Sequence, residues 1–250
     1  MNRSLEELGI QSPWFNVPGF LGWVPPARLE LNFTPGAFLP MPVSLHPRPP
    51  AHRRVALNLP GGAFLRSGLP NPGFSMAVRQ YGARWERLSQ PLWLSLAAQD
   101  AEEMAELSER VDDLGSAVTF SVHLPLELAE AELVEFLRAA QGEHPFWVEV
   151  PLDRVNRETV ALLRRSTALG LVIGAPRGLI YWQDTWVSGR LYGPAFFPQV
   201  AALVSQLVEE DLIVIAGCGV FSQESGEQLL ALGAAGVQLD CALWGELTVP

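Results

Sequence analysis

The sequence predicts a single α/β domain over residues 1–250, a (β/α)8 barrel of the TIM type. Three observations predict it. The chain has 250 residues, an ordinary length for one such barrel. From about Pro91 onward, short apolar runs alternate with amphipathic stretches. Most of these strand-plus-helix repeats take roughly 25 residues, the spacing of βα units around a parallel sheet.

The N-terminal third has a different texture. Pro25-Pro26, Pro35-Gly36, Pro47, Pro49-Pro50, Pro60-Gly61-Gly62 and Pro70-Asn71-Pro72-Gly73 break regular elements and predict ordered turns. Residues 1–12 are expected as a hairpin-like lead-in. Trp14–Val17 and Ala37–Met41 are expected as the first two strands. The remaining strands are predicted at Leu92–Ala97, Ala117–His123, Phe146–Val150, Leu171–Ala175, Leu212–Ala216 and Gly236–Asp240. Helical patterns fall between them at Asp100–Leu114, Glu127–Gln141, Val155–Leu169, Phe196–Glu209 and Ser222–Leu232. Ser222 is a suitable N-cap for the last of these.

One connection exceeds the repeat. Residues 176–194 read as an aromatic loop insertion carrying Tyr181, Trp182, Trp186 and Tyr192. A loop after the C-terminal end of a barrel strand is where ligand contacts gather. Stacking on a planar ligand and packing over the barrel mouth both remain open for these rings. The chain stops at Pro250, soon after the eighth strand, so the last helix is expected to be missing or short. An uncovered strand face would then call for a partner, and a homo-oligomer is expected.

Composition excludes several chemistries. The chain is 48% hydrophobic and 18% charged, with formal net charge −10, and its 17 basic residues are all Arg. Without lysine there is no Schiff-base amine, no P-loop lysine and no ammonium general base. The acidic balance excludes a nucleic-acid footprint, which needs clustered cations. The longest apolar run, Leu212 to Phe221, is too short to span a bilayer. The first residues lack the apolar core of a signal peptide. Two cysteines, Cys218 and Cys241, suggest no disulfide framework, so a cytoplasmic protein is expected.

Several collinear segments carry a resemblance. They are Ile10-Gln11-Ser12-Pro13-Trp14-Phe15 to Gly19, Pro35-Gly36-Ala37-Phe38 through His46-Pro47-Arg48, and Ser67-Gly68-Leu69-Pro70-Asn71-Pro72-Gly73-Phe74. Further along come Gly193-Pro194-Ala195-Phe196-Phe197-Pro198, Ile215-Ala216-Gly217-Cys218-Gly219-Val220-Phe221-Ser222, and Val237-Gln238-Leu239. In order and spacing this set resembles the FMN-dependent dihydroorotate dehydrogenase family, a (β/α)8 barrel, from about residue 8 to residue 244. The resemblance implies FMN as cofactor, with Gly19, Gly193, Gly219, Val220 and Cys241 as cofactor-binding positions and Asn71 as a substrate residue. The phosphate would lie on backbone N–H groups after the seventh and eighth strands.

The departures from the family pattern are specific. Two positions where the family has flavin-contacting lysines hold Met41 and Glu149. Matched asparagine positions hold Leu65, Ser121 and Leu126. The family's Asn-x-Ser-Cys-Pro-Asn motif reads Ser121-Val122-His123-Leu124-Pro125-Leu126. A carboxylate at Glu149 would oppose a reduced anionic flavin. Loss of the asparagines would leave a pyrimidine-dione without partners, so orotate is not the expected substrate. Cys218 stands where a second glycine is usual, and Asp240-Cys241 replaces a small residue and threonine. Asp240 would repel a phosphate dianion if it faced that site.

The candidate catalytic residues are His123 and Glu149, at the ends of adjacent predicted strands. They suit an oriented acid/base couple, two metal ligands, or a buried hydrogen-bonded pair with no chemistry. Two groups are too few for a metal site, and none is assigned. Cys218 and Cys241 read either as a redox pair or as two small buried residues. Arg177 suits an anionic ligand or a surface ion pair. His46, His52 and His144 sit in loop-like contexts. The functional expectation is a divergent flavoprotein oxidoreductase binding FMN and a small-molecule ligand of unknown identity. The alternatives are a non-catalytic pseudoenzyme used for binding or assembly, and a flavin-free barrel with a His123/Glu149 acid/base site.

Overall fold

A computed structural model describes residues 3–26, 34–125 and 127–240. The chain begins with one helical turn, α1 (Arg3–Glu7), where the sequence suggests a hairpin. Backbone bonds from Gly9 N–H to the Glu6 carbonyl and from Ile10 N–H to the Leu5 carbonyl close its C-terminus. That pairing satisfies carbonyls a helix end would otherwise leave open. It also turns Leu5 and Ile10 into the inner core with Phe15, Trp93 and Trp147.

The strand β1 (Trp14–Asn16) follows. The Pro/Gly-rich region then holds regular structure that its turn residues conceal. An antiparallel hairpin, β2 (Val55–Leu59) and β3 (Gly62–Arg66), pairs Val55 with Arg66 and Leu59 with Gly62. The helix α2 (Phe74–Trp85) buries Phe74, Ala77 and Trp85 on one face. Neither was expected, because Pro60-Gly61-Gly62 and Pro70-Asn71-Pro72-Gly73 read as breakers. They are the hairpin turn and the helix entry.

The rest of the chain follows the predicted alternation. It comprises β4 (Leu92–Leu96), α3 (Ala101–Asp112), β5 (Ala117–His123), α4 (Glu130–Ala139), β6 (Phe146–Pro151), α5 (Arg157–Arg164) and β7 (Gly170–Gly174). It continues through β8 (Arg177–Trp182), β9 (Thr185–Tyr192), α6 (Phe197–Glu209), β10 (Val214–Ala216), α7 (Gln223–Ala231) and β11 (Gly236–Leu239). Side-chain caps set the helix starts. Asp100 accepts from Glu103 N–H at α3, Asn156 from Thr159 N–H at α5, and Ser222 from Ser225 N–H at α7. Each satisfies a backbone donor that the first turn leaves unpaired.

Seven strands form one curled parallel sheet in the order β1-β11-β10-β7-β6-β5-β4. No ladder joins its two edge strands. Ala37 makes a single parallel bridge to Phe15, Phe38 bridges to Leu92, and Val43 bridges to Leu96. The strand expected at Ala37–Met41 is reduced to these bridges. Pro40 and Pro42 have no N–H and interrupt pairing there.

Side chains alternate between two cores, as a strand's period of two requires. Phe15, Trp93, Trp147, Val172 and Ile215 fill the concave side. The rings of Trp93 and Trp147 lie 5.3 Å apart, as do those of Phe15 and Trp93. On the convex side Leu94, Phe120, Val148, Leu171, Val214 and Val237 pack with the helices. At roughly 25 cal/mol per Å2 of apolar surface, the burial on both faces is the main stabilising contribution.

The segment 176–194 is ordered as a hairpin rather than a loop. β8 and β9 pair antiparallel, with Tyr181 opposite Trp186, and β9 pairs with β3. The result is a four-stranded sheet in the order β2-β3-β9-β8. Its outer end exposes Leu179, Tyr181 and Trp186. Among the described residues no helix is long and apolar enough to cross a membrane.

Candidate functional site at the strand ends

The three neighbouring strands β4, β5 and β6 bring Ser95, His123 and Glu149 together. Each follows a concave-side residue by two positions (Trp93, Ser121 and Trp147), so strand alternation carries all three inward. His123 stands opposite Glu149 in the β5–β6 register. Its Nδ1 lies 3.1 Å from Glu149 Oε1, and its Nε2 lies 3.1 Å from Ser95 Oγ. The Nδ1 contact is within ion-pair distance but off ideal hydrogen-bond alignment. The sequence places His123 and Glu149 on adjacent strand ends, and the structure joins them. Ser95 was missed. Its signal was one hydroxyl inside the apolar run Leu92-Trp93-Leu94-Ser95-Leu96.

A fourth member comes from the small sheet. Arg190 on β9 donates through Nη1 to Glu149 Oε1 and to the Ala175 carbonyl, both at 3.3 Å. This contact sets the small sheet against the C-terminal ends of the parallel strands. Burial pushes the Glu149 carboxyl upward, but His123 and Arg190 outweigh it and hold the group below its ordinary value. Glu149 is therefore an anion inside the fold, matched by a guanidinium from the small sheet. Gly174 makes room for it. A Cβ there would lie 2.8 Å from Glu149 Oε1. Among the described residues, no three His, Cys, Asp or Glu side chains gather as a metal site would require.

A second cluster lies where β10 and β11 end. Asp240, fully buried, accepts through Oδ2 from Gly193 N–H at 3.3 Å and from Gly219 N–H at 3.2 Å. Both glycines are sequence-predicted cofactor positions, and the structure brings them together around one carboxylate. Gly193 has φ 129°, and a Cβ on it would lie 2.5 Å from Gly62 Cα, so the hairpin turn of β2–β3 requires glycine there. Val220 is buried in the convex-side core. Cys218 donates to the Gly174 carbonyl at 3.4 Å. Burial first, then Asp240 and Glu149, push its thiol well above the ordinary range, so it is a neutral packing group. Cys241 and Leu126 lie outside the described residues.

Between the small sheet and the strand ends opens a cleft of about 1130 Å3, touched by Gly19, Met41, Arg66, Arg190 and Tyr192. A smaller cavity of about 520 Å3 between α5 and α6 shares no residue with it. Asn71, the expected substrate residue, does not line the cleft. Its Oδ1 accepts from Ser44 Oγ and from the N–H groups of Ser44 and Gly73, and its Nδ2 donates to the Leu69 carbonyl. The side chain is a bracket between two loops.

The chain matches no protein-family model. It is 27% identical over 197 residues to the catalytic subunit of dihydroorotate dehydrogenase B (NAD(+)) from Thermotoga maritima, an alignment covering 72% of each chain. It is 21% identical over 231 residues to the corresponding subunit from Pyrococcus abyssi, covering 84% of this chain and 76% of that one. The chain is thus similar, at a divergent level, to dihydroorotate dehydrogenases. Solved structures share its fold. The ligand-free DHODH of Eimeria tenella superposes with a TM-score of 0.73 at 13% identity, covering 94% of this chain and 80% of that one. The ferulenol complex of the same protein gives 0.68 at 13% identity, covering 94% and 77%. Against this family background, the positions that depart from its motifs are the ones engaged in internal contacts. Glu149 holds Arg190, and Asp240 holds Gly193 and Gly219.

Proposed function

We propose that this protein is a flavin-free barrel that binds a small molecule and performs no redox chemistry. One observation carries the reading. The N–H of Gly219, in the loop after the seventh predicted strand where a flavin phosphate would lie, and the N–H of Gly193, another expected cofactor position, are already bonded to the buried Asp240 carboxylate. A phosphate dianion would have to displace a carboxylate from its donors or sit beside it in a dry site. Like charges at that separation repel strongly. The residues present do not fit FMN at this point.

The flavin-facing positions support the same reading. Met41 is uncharged, and its Sδ would lie 3.0 Å from a Cβ on Gly19, so it packs where the family carries a lysine. Glu149 is an anion, where a cation would be needed to stabilise a reduced flavin. His123 and Glu149 do not line the cleft. Their contacts with Ser95 and Arg190 make them a framework that locates the Arg190 guanidinium, rather than an acid/base couple facing a substrate.

The test is the visible spectrum of the purified protein before and after incubation with excess FMN and gel filtration. A colourless protein that retains no FMN is expected. A yellow protein with stoichiometric FMN after filtration overturns the reading.

A further inference from the structure

We infer that the cleft between the small sheet and the strand ends is a binding site for a small organic polyanion, a molecule with two or more carboxylate or phosphate charges. This rests on the flavin-free reading and names the ligand class for the same barrel mouth.

Among the described residues, four arginines line the cleft, Arg53, Arg54, Arg66 and Arg190, and no Asp or Glu does. The chain as a whole carries 27 acidic residues and net charge −10, so this local sign is opposite to that of the protein. One sheet gathers them. Arg54 precedes β2, Arg66 on β3 pairs with Val55, and Arg190 on β9 pairs with Leu65. Among the described residues, Arg53, Arg54 and Arg66 form no ion pair. Only Arg190 has a carboxylate partner, Glu149 at 3.3 Å. Unneutralised guanidinium groups in one concave site repel each other and raise the local positive potential.

Arg66 adds a donor with nothing to bond. Its Nη1 donates to the Ser188 carbonyl at 3.3 Å and to Ser188 Oγ at 3.4 Å. Its Nε is buried and has no hydrogen-bond partner. A buried donor left open carries a desolvation cost that an anionic acceptor would remove. Serine 188 holds one edge of the guanidinium, and the Nε edge remains for a ligand oxygen. Arginine forks suit carboxylate and phosphate oxygens in pairs, and two or more forks around one cleft suit more than one such group.

The shape selects a small molecule. A volume of about 1130 Å3 is slightly above that of ordinary ligand sites, which run from about 300 to 1000 Å3. Phe20 and Tyr192, edge to face at 4.9 Å, and Trp182 give it apolar walls. A long polyanion such as a nucleic acid would meet the acidic exterior beyond the cleft and be repelled. A compact one would not.

The experiment is titration calorimetry at low ionic strength with inorganic pyrophosphate and, separately, citrate, on the full chain. Either or both probes should bind the wild type. The double variant R53Q/R54Q and the single variant R66Q should each weaken binding about tenfold or more, as loss of charge-assisted bonds does. R79Q, on the exposed face of α2, should match the wild type. Arg53 and Arg54 are exposed, so their replacement spares the fold, and far-UV circular dichroism checks this. Absence of binding by both probes overturns the proposal, as does binding that all three cleft substitutions leave unchanged. FMN run in parallel separates the two readings. FMN retained through gel filtration defeats the flavin-free reading, whereas the arginine variants decide the polyanion site.

Discussion

Arg190 Nη1 stands 3.3 Å from Glu149 Oε1, joining the outer hairpin sheet to the ends of the curled parallel sheet through one charge pair. The two residues are 41 positions apart and on different sheets. Removing one partner of such a pair leaves the other buried and uncompensated, which costs about 3–5 kcal/mol in comparable cases. Glu149→Gln should therefore lower stability to chemical denaturation by an amount of that order. A loss no larger than that of a surface substitution would show that the pair does not hold the small sheet in place.

The same carboxylate depends on a missing methyl group. Gly174→Ala would put a Cβ 2.8 Å from Glu149 Oε1, and the packed interior leaves little room for adjustment. Overpacking of this kind costs about 1–3 kcal/mol. Gly115→Ala, with no atom within 4 Å of the added Cβ, is the control and should leave the denaturation midpoint where it was. Equal midpoints for both variants would contradict the account of Gly174.

Asp240 invites the reverse experiment. In Asp240→Gly the N–H groups of Gly193 and Gly219 lose their acceptor, and the variant should be less stable by about 1–3 kcal/mol, the cost of open buried donors. The vacated position is then a ready anion cradle. Inorganic phosphate should raise the melting temperature of the variant by more than that of the wild type. A phosphate response equal in both proteins would mean that Asp240 does not occupy that position.

Stability should also bend at both ends of the pH scale. The Glu149 carboxyl is held below its ordinary value of 4.5. Its contribution is thus complete above 4.5 and is lost as pH falls through the lower folded value. At the alkaline end, burial first of all pushes the Cys218 thiol well above its ordinary 9.0 and raises Tyr192 from 10.0 to about 12. The unfolded chain then releases protons that the folded chain keeps, so stability falls as pH rises above 9.0 and further above 10.0. Urea titrations across this range should show the decline, and Cys218→Ala should delay its onset. An alkaline limb unchanged by that substitution would remove the thiol from the account.

Asn71 separates a bracket from a ligand contact. Asn71→Ala removes the acceptor shared by Ser44 and Gly73 and should destabilise the fold by about 1–3 kcal/mol. Pyrophosphate affinity at a temperature where the variant is folded should not change. Weakened binding without loss of stability would restore the substrate role expected from its motif.

The sequence by itself determined the alternation from Leu92 to Leu239, because a buried parallel strand must be apolar on both faces and each helix must carry its own cap and stripe. Ala117–His123 appears in the structure with its predicted bounds. His123 and Glu149 were legible as neighbours because their strands are adjacent, and adjacent strands with short crossovers usually pair. Tertiary structure alone decided the rest. The hairpins β2–β3 and β8–β9 lie far apart in the chain and pair through Phe64 and Leu191, and local pattern holds no record of that pairing. Arg53, Arg54, Arg66 and Arg190 share no spacing in the sequence that would join them at one site. Asp240 read as a charge that would repel a phosphate only if it faced the site. A hydrogen bond depends on where a side chain lands, and the curl of the sheet landed this carboxylate on the donors of Gly193 and Gly219.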